Sequence, residues 1–98
     1  MKEISFEWND KKNVLNRKKH GISFEEAQTV FADEQALLIH DPDHLHEEDR
    51  FILLGLSSKL RILIVSHCYR KKDEKIRIIS ARKAKLLEQK GYWDRWLR

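Results

Sequence analysis

"RFILLGLSSKLRILIVSHCYRKKDEKIRIIS", residues 50–80, decides how this chain folds. Short stretches rich in Ile, Leu and Val alternate with polar breaks containing Ser, Lys and Asp. Runs of that length and β-branched content fit strands better than helices. They place strands near 50–57, 60–69 and 75–80, with another at 36–40 just upstream. Short connections between successive strands dictate antiparallel pairing of neighbours.

Working outward, "ISFEW" (4–8) alternates and reads as a short first strand. Asn9 or Asp10 can cap a helix that runs to about Lys19, where Gly21 supplies a left-handed stop. Its spacing puts Lys12, Asn16, Lys19 and His20 on a polar stripe and turns Val14 and Leu15 inward. Ser23 with Glu26 forms a capping-box pattern for a second helix, from Phe24 to about Ala32, burying Phe24, Ala27 and Phe31. "DPDHLHEED" (41–49) reads as a polar loop. Ser80 looks like the N-cap of a last helix over 81–90, followed by the tail "GYWDRWLR". The expectation is an α+β domain spanning residues 1–98: a short N-terminal strand, two helices, a curved antiparallel sheet of about four strands and a C-terminal helix. Helices are expected on one face of the sheet, with the other face partly open.

The composition is that of a highly charged globular chain, with a formal net charge of +4 and 37% charged residues. That total conceals an asymmetry. Residues 1–49 carry 6 Lys/Arg against 12 Asp/Glu, and residues 50–98 carry 14 against 4. A cationic second half attracts polyanions, nucleic acid above all, although a solvated basic surface has the same composition. No apolar run is long enough to cross a membrane or form a signal-peptide core. Cys68 is the single cysteine, which excludes an internal disulfide and fits a reducing cytoplasm. Its place in a strand reads as a small core residue.

Alternation sorts the basic residues by face. Should Ser58-Lys59 form a two-residue turn, Arg50 lies opposite His67, and pairing Tyr69 with Lys75 puts His67 opposite Arg77. Arg50, Arg61, His67 and Arg77 then share one sheet face, close enough for several to reach one phosphate. The register is decisive, because a shift of one residue moves side chains to the other face. Taken singly, His67 also fits an interior histidine, and Arg50 fits a pair with Glu47 or Glu48. Arg82, past the strand in "RIISARKA" (77–84), is expected in the first turn of the last helix, where backbone N–H groups favour anions. His44 and His46 have a weak metal-ligand spacing on a flexible loop, and a solvated acidic loop explains them better. Trp8, Tyr92, Trp93 and Trp96 can stack on bases or close the core.

Together these blocks resemble a known family. "FEWNDKKNVLNRKKHGISFEEAQTVF" (6–31) is similar to the opening signature of BrnT toxins, and "EDRFILLGLS" (48–57), "LRILIVSHCYR" (60–70) and "IRIISARKA" (76–84), then Glu88 and Tyr92, resemble its later blocks. Asn9 stands where the family usually has aspartate, and both residues cap helices. The resemblance implies a RelE-like fold and a metal-independent ribonuclease toxin of a type II toxin–antitoxin system that arrests translation, with no cofactor. It also implies a ribbon-helix-helix antitoxin, BrnA-like, that neutralises the toxin and represses the operon with it, so that operator DNA is met only through the complex. The family's basic residues map onto Lys12, Lys19, His20, Arg50, Arg61, Arg77 and Arg82.

RNA supplies its own nucleophile, the 2′-hydroxyl, so the protein need only move protons and stabilise the phosphorane. Arg61, Arg77 and Arg82 suit the developing charge because guanidinium binds phosphate oxygens bidentately and stays protonated. His67 can exchange a proton near neutrality, and His20, Lys12 or Glu48 can supply the second transfer. Lys12, Lys19, His20, Arg50, Trp8 and Tyr92 are candidates for holding RNA. The alternative is a non-catalytic nucleic-acid-binding or regulatory module that uses the same cationic face.

Overall fold

The computed structural model describes residues 4–44, 49–70 and 74–96. In chain order the elements are β1 (Ser5–Glu7), α1 (Asp10–His20), α2 (Phe24–Thr29) leading into a 3-10 turn (Val30–Ala32), β2 (Leu37–His40), a 3-10 turn (Pro42–His44), β3 (Arg50–Leu56), β4 (Ile62–Arg70), β5 (Lys75–Lys83) and α3 (Leu86–Trp96). The strands form one sheet in the order β1-β5-β4-β3-β2. Neighbours from β2 to β5 are antiparallel, as their short connections dictate. Instead of about four strands the sheet has five, because β1 joins the β5 edge in parallel.

The N-terminal caps form as the residue types dictate. Asn9 Oδ1 accepts from the Lys12 N–H at 3.1 Å, and Ser23 Oγ accepts from the Glu26 N–H at 3.0 Å. Gly21, at φ 72°, closes α1 in the left-handed conformation that a Cβ disfavours. Between these caps, α1 packs opposite to its apolar pattern: Val14 and Leu15 are 51% and 62% exposed, whereas Asn16 is buried. Hydrogen bonding explains the inversion. Asn16 Nδ2 donates to the carbonyls of Ile22 (2.8 Å) and Ala81 (2.7 Å), and its Oδ1 accepts from the Ala81 N–H (3.2 Å). Asn13 Oδ1 accepts from the Phe24 N–H at 2.8 Å. Two asparagines thus fasten α1 to β5 and α2, and the expected polar stripe is split.

Asn16 also accounts for the end of β5. Helix-forming residues at 81–83 stay in the strand because Ala81 pairs with Val65, Arg82 with Ile64 and Lys83 with Leu63. Tertiary pairing overrides local propensity here. Ser80 consequently faces Ser66 across the ladder and caps nothing, and α3 begins only at Leu86.

Helices cover both faces rather than one. Ile22, Phe24, Ala27 and Val30 pack on Leu53, Leu63, Val65 and Ile78. Tyr92 of α3 packs on Leu54, Ile62 and Ile64, which point the other way. Beyond α3, this second face carries Arg50, Cys68, Arg70, Lys75 and Arg77, all at least partly exposed. We refer to this part as the open face.

Both central hairpins differ in register from the simplest expectation. The β3–β4 loop has three residues, 58–60: the Ser57 N–H donates to the Arg61 carbonyl (2.9 Å), and Leu60 adopts φ 62°. Arg50 is therefore opposite Cys68, and His67 is opposite Phe51. Across β5, Arg70 pairs with Lys75 and Cys68 with Arg77, before an irregularity at Ser66/His67 shifts the ladder.

Candidate active site

One transverse row of the open face reads Arg50 (β3), Cys68 (β4), Arg77 (β5), Glu7 (β1). With strands about 4.8 Å apart, the Cα atoms of Arg50 and Arg77 lie roughly 10 Å apart. Beyond Arg50 the row ends at Asp41, whose Oδ2 is 3.3 Å from Arg50 Nε. Beside it, Arg70 and Lys75 form the next cross-strand pair. Glu7 Oε2 lies 2.7 Å from Arg77 Nη1 and 3.9 Å from Arg70 Nε, and Oε1 lies 3.6 Å from Lys75 Nζ. One carboxylate thus faces three permanent cations, and the corner keeps a net positive charge.

The expected grouping of Arg50, Arg61, His67 and Arg77 does not form. Arg50 and Arg77 share a row, but the residue between them is Cys68, because both hairpins are displaced by one residue on β4. Cys68 is partly exposed on this face rather than a core residue. His67 points to the helix-covered face, fully buried. Its ring lies among Phe31, Phe51 and Tyr69, with Nδ1 3.1 Å from the Val65 carbonyl oxygen and Nε2 3.4 Å from the Tyr69 hydroxyl. Burial lowers its pKa from the ordinary 6.5, which the contact to Val65 only partly opposes.

Arg61 also belongs to the helix-covered side. It forms a bidentate pair with Glu26, whose side chain is 1% exposed and also accepts from Ser57 Oγ at 2.7 Å. Burial pushes the Glu26 carboxyl up, but the hydrogen bonds from Arg61 and Ser57 bring it below its ordinary value. Arg82 lies on the same face as Arg77, in β5 and not in a helix turn. Its Nη1 and Nη2 donate to the two Glu88 oxygens at 2.8 and 2.9 Å. Chiefly through that bond, the Glu88 carboxyl titrates at about 2. This pair borders a cavity of about 320 Å³ between α3 and the apolar side chains of Leu54 and Ile64.

Lys12, Lys19 and His20 lie on α1, which packs on the covered face, away from the arginine row. Trp8 packs edge-on against Phe24, and Tyr92 is fully buried with its hydroxyl donating to Asp33 Oδ2 at 2.6 Å. Burial closes the Tyr92 ring to a base, whereas Trp8 stays partly exposed. Glu48 and His46 lie outside the described residues. His44 Nδ1 is 3.8 Å from Asp41 Oδ2, and no cluster of three metal-ligating side chains occurs among the described residues. Sequence pattern alone does not single out Glu7, Arg70 and Lys75. Their signal is parity: Arg70 shares the alternation of Ser66 and Cys68, and Glu7 that of Ser5.

Sequence comparison supplies the lineage. The family model described as the ribonuclease toxin BrnT of type II toxin–antitoxin systems matches residues 8–88. This chain belongs to the BrnT family. As a BrnT-family protein it is a ribonuclease toxin, with RNA as substrate and an antitoxin as partner. The fold is similar to the 1.1 Å crystal structure of the Brucella abortus ribonuclease toxin BrnT, with a TM-score of 0.66 and 23% identity over 84% of this chain and 97% of that one. Compared with curated proteins, the sequence has no significant match. The matched BrnT segment contains Arg50, Cys68 and Arg77 of the charged row, and Glu7 immediately precedes it.

Proposed function

We propose that the open face of the sheet is where this BrnT toxin binds and cuts RNA, with Arg50 and Arg77 as the groups that meet the scissile phosphate. The observation that carries this reading is the row Arg50–Cys68–Arg77, flanked by Arg70 and Lys75. Guanidinium groups stabilise a phosphorane without exchanging protons, and a small residue between them leaves room for a phosphate. Arg61 and Arg82 are committed to Glu26 and Glu88, so their first role in this scheme is to hold α2 and α3 in place. Burial and its cage make His67 a framework residue as well.

Cleavage on this reading needs no metal, since the acids of the face are engaged by cations and the arginines supply the positive charge. The antitoxin is an acidic ribbon-helix-helix protein that covers the same face, represses the operon jointly with the toxin, and meets it in the cytoplasm. The architecture is assigned to the RelE-like toxins on the same basis. Incubating the purified protein with single-stranded RNA in chelator tests the scheme. The expected products carry 2′,3′-cyclic phosphate and 5′-hydroxyl ends. RNA that is bound but left intact would favour the non-catalytic module.

A further inference from the structure

Of the acids that contact arginines on this face, Glu7 and Glu88 are both partly exposed, at 28% and 32%, and of these two only Glu7 keeps an oxygen outside a hydrogen bond among the described residues. Asp41 is 5% exposed in its side chain and lies against Arg50. Glu88, further along this face, gives both oxygens to Arg82 and accepts a third bond from the Lys85 N–H at 2.7 Å. Glu7 is 28% exposed, and its Oε1 stands 3.6 Å from Lys75 Nζ, farther than a hydrogen bond. The facing charges are Lys75 and Arg77 on β5 and Arg70 on β4. Three cations around one carboxylate leave a surplus that recruits an anion, and an anion drawn there arrives within reach of a base.

Building on the active-site reading above, we propose that Glu7 is the general base of RNA cleavage and that Arg77, now bonded to it, turns to the phosphate when RNA binds. Glu7 Oε1 takes the proton of the 2′-hydroxyl, and O2′ forms a bond to the adjacent phosphorus. The P–O5′ bond breaks, and the 5′-oxygen leaves with a proton from water. The products are a 2′,3′-cyclic phosphate and a 5′-hydroxyl, and Glu7 returns its proton to solvent. Arg77 and Arg50 bind the non-bridging oxygens, with Arg70 beside them, so base and electrophile sit side by side. The hydrogen bond from Arg77, before other causes, lowers the Glu7 pKa, so the group is ionised and ready at neutral pH.

Single-turnover cleavage of a single-stranded RNA by the wild type, Glu7→Gln, Glu7→Asp and Arg77→Ala, with RNA affinity and melting temperature alongside, tests the assignment. Glu7→Gln is expected to cut at least about 100-fold more slowly while binding RNA as tightly or more tightly, because it removes a negative charge among three cations. Glu7→Asp is expected to retain part of the rate and an acid limb in its pH profile that Glu7→Gln lacks. Wild-type cleavage by Glu7→Gln, with Arg77→Ala impaired, overturns the role of Glu7 alone. Unimpaired Arg77→Ala overturns the open-face site itself. Parallel loss of rate, affinity and melting temperature in both Glu7 variants would make Glu7 a structural partner and contradict the proposal.

Discussion

Arg50 and Arg77 stand on opposite sides of Cys68 in one transverse row, two strands apart, on the part of the sheet that α3 leaves uncovered. Each hairpin is displaced by one residue from the register expected of the sequence, and both displacements fall on β4. The outer two residues therefore stay aligned while the middle one changes. That exchange removes an imidazole from between the arginines and sets a small thiol there instead. Asp41 Oδ2 lies 3.3 Å from Arg50 Nε, and Glu7 Oε2 lies 2.7 Å from Arg77 Nη1, so an acid flanks each end of the arginine pair.

Arg61→Ala is expected to act on stability before activity. It would leave the buried Glu26 carboxylate with the Ser57 Oγ hydrogen bond and the charge of Lys59 alone to answer it. Removing one partner of a buried pair costs about 3 kcal/mol or more. Chemical denaturation should show that loss, and the Glu26→Gln/Arg61→Met double variant should recover much of it. An Arg61→Ala protein of unchanged stability would contradict this role.

Asn16→Ala removes three hydrogen bonds at once and strands the Ala81 N–H beside two carbonyls. Each buried group left unpaired costs about 1–3 kcal/mol. A total near 3 kcal/mol lowers the melting temperature by more than about 10 °C in a chain this small. Scanning calorimetry reads this directly, and a shift of only a degree or two would show that α1 is held otherwise.

His67 makes stability depend on pH below its ordinary 6.5. Burial holds its folded pKa below the ordinary 6.5, so the unfolded chain takes up this proton first as pH falls. The contribution is full above pH 6.5 and declines below it, by at most about 1.4 kcal/mol per pH unit. Carboxylates with lowered pKa, Glu26 and Asp33 among them, weaken the fold only at pH values below their ordinary 4.5 and 3.8. The His67→Phe curve, measured by urea unfolding, should be flatter than wild type in the upper window. Identical slopes would mean that His67 titrates normally.

Leu60 is the one non-glycine residue at positive φ among the described residues, at the tip of the β3–β4 hairpin and 79% exposed. A left-handed conformation costs an L-residue roughly 1–2 kcal/mol, and glycine avoids that cost. Leu60→Gly is expected to stabilise the protein by about 0.5–1 kcal/mol and raise the melting temperature by a few degrees. A drop would mean that the leucine side chain contributes contacts that outweigh the strain.

Much of the fold was legible because its signals are local. Asn9, Gly21 and Ser23 cap helices through their own side chains or backbone freedom, and the Ile/Leu/Val runs at 50–80 can hardly be anything but strands. What escaped depends on distant partners. Residues 81–83 favour a helix until Asn16 and β4 claim their backbone, and α1 hides its polar face because asparagines can hydrogen-bond there. The candidate site was half legible. Parity placed Arg50 and Arg77 together, whereas one extra loop residue at Leu60 sent His67 to the other face. Glu7 needed β1 to be seen beside β5, a pairing that no short connection announces.

The central claim, that the arginine row is where RNA is cut, is tested most directly by single-turnover cleavage with Arg50→Ala and Arg77→Ala. Arg77→Ala should melt near the wild-type temperature and Arg50→Ala somewhat below it, because Asp41 loses a partner. Each, assayed well below its melting point, should cleave roughly 100-fold more slowly, as expected when one preorganised contact to developing charge is lost. A wild-type cleavage rate in Arg77→Ala, with or without one in Arg50→Ala, would contradict the account and move the active site off the open face.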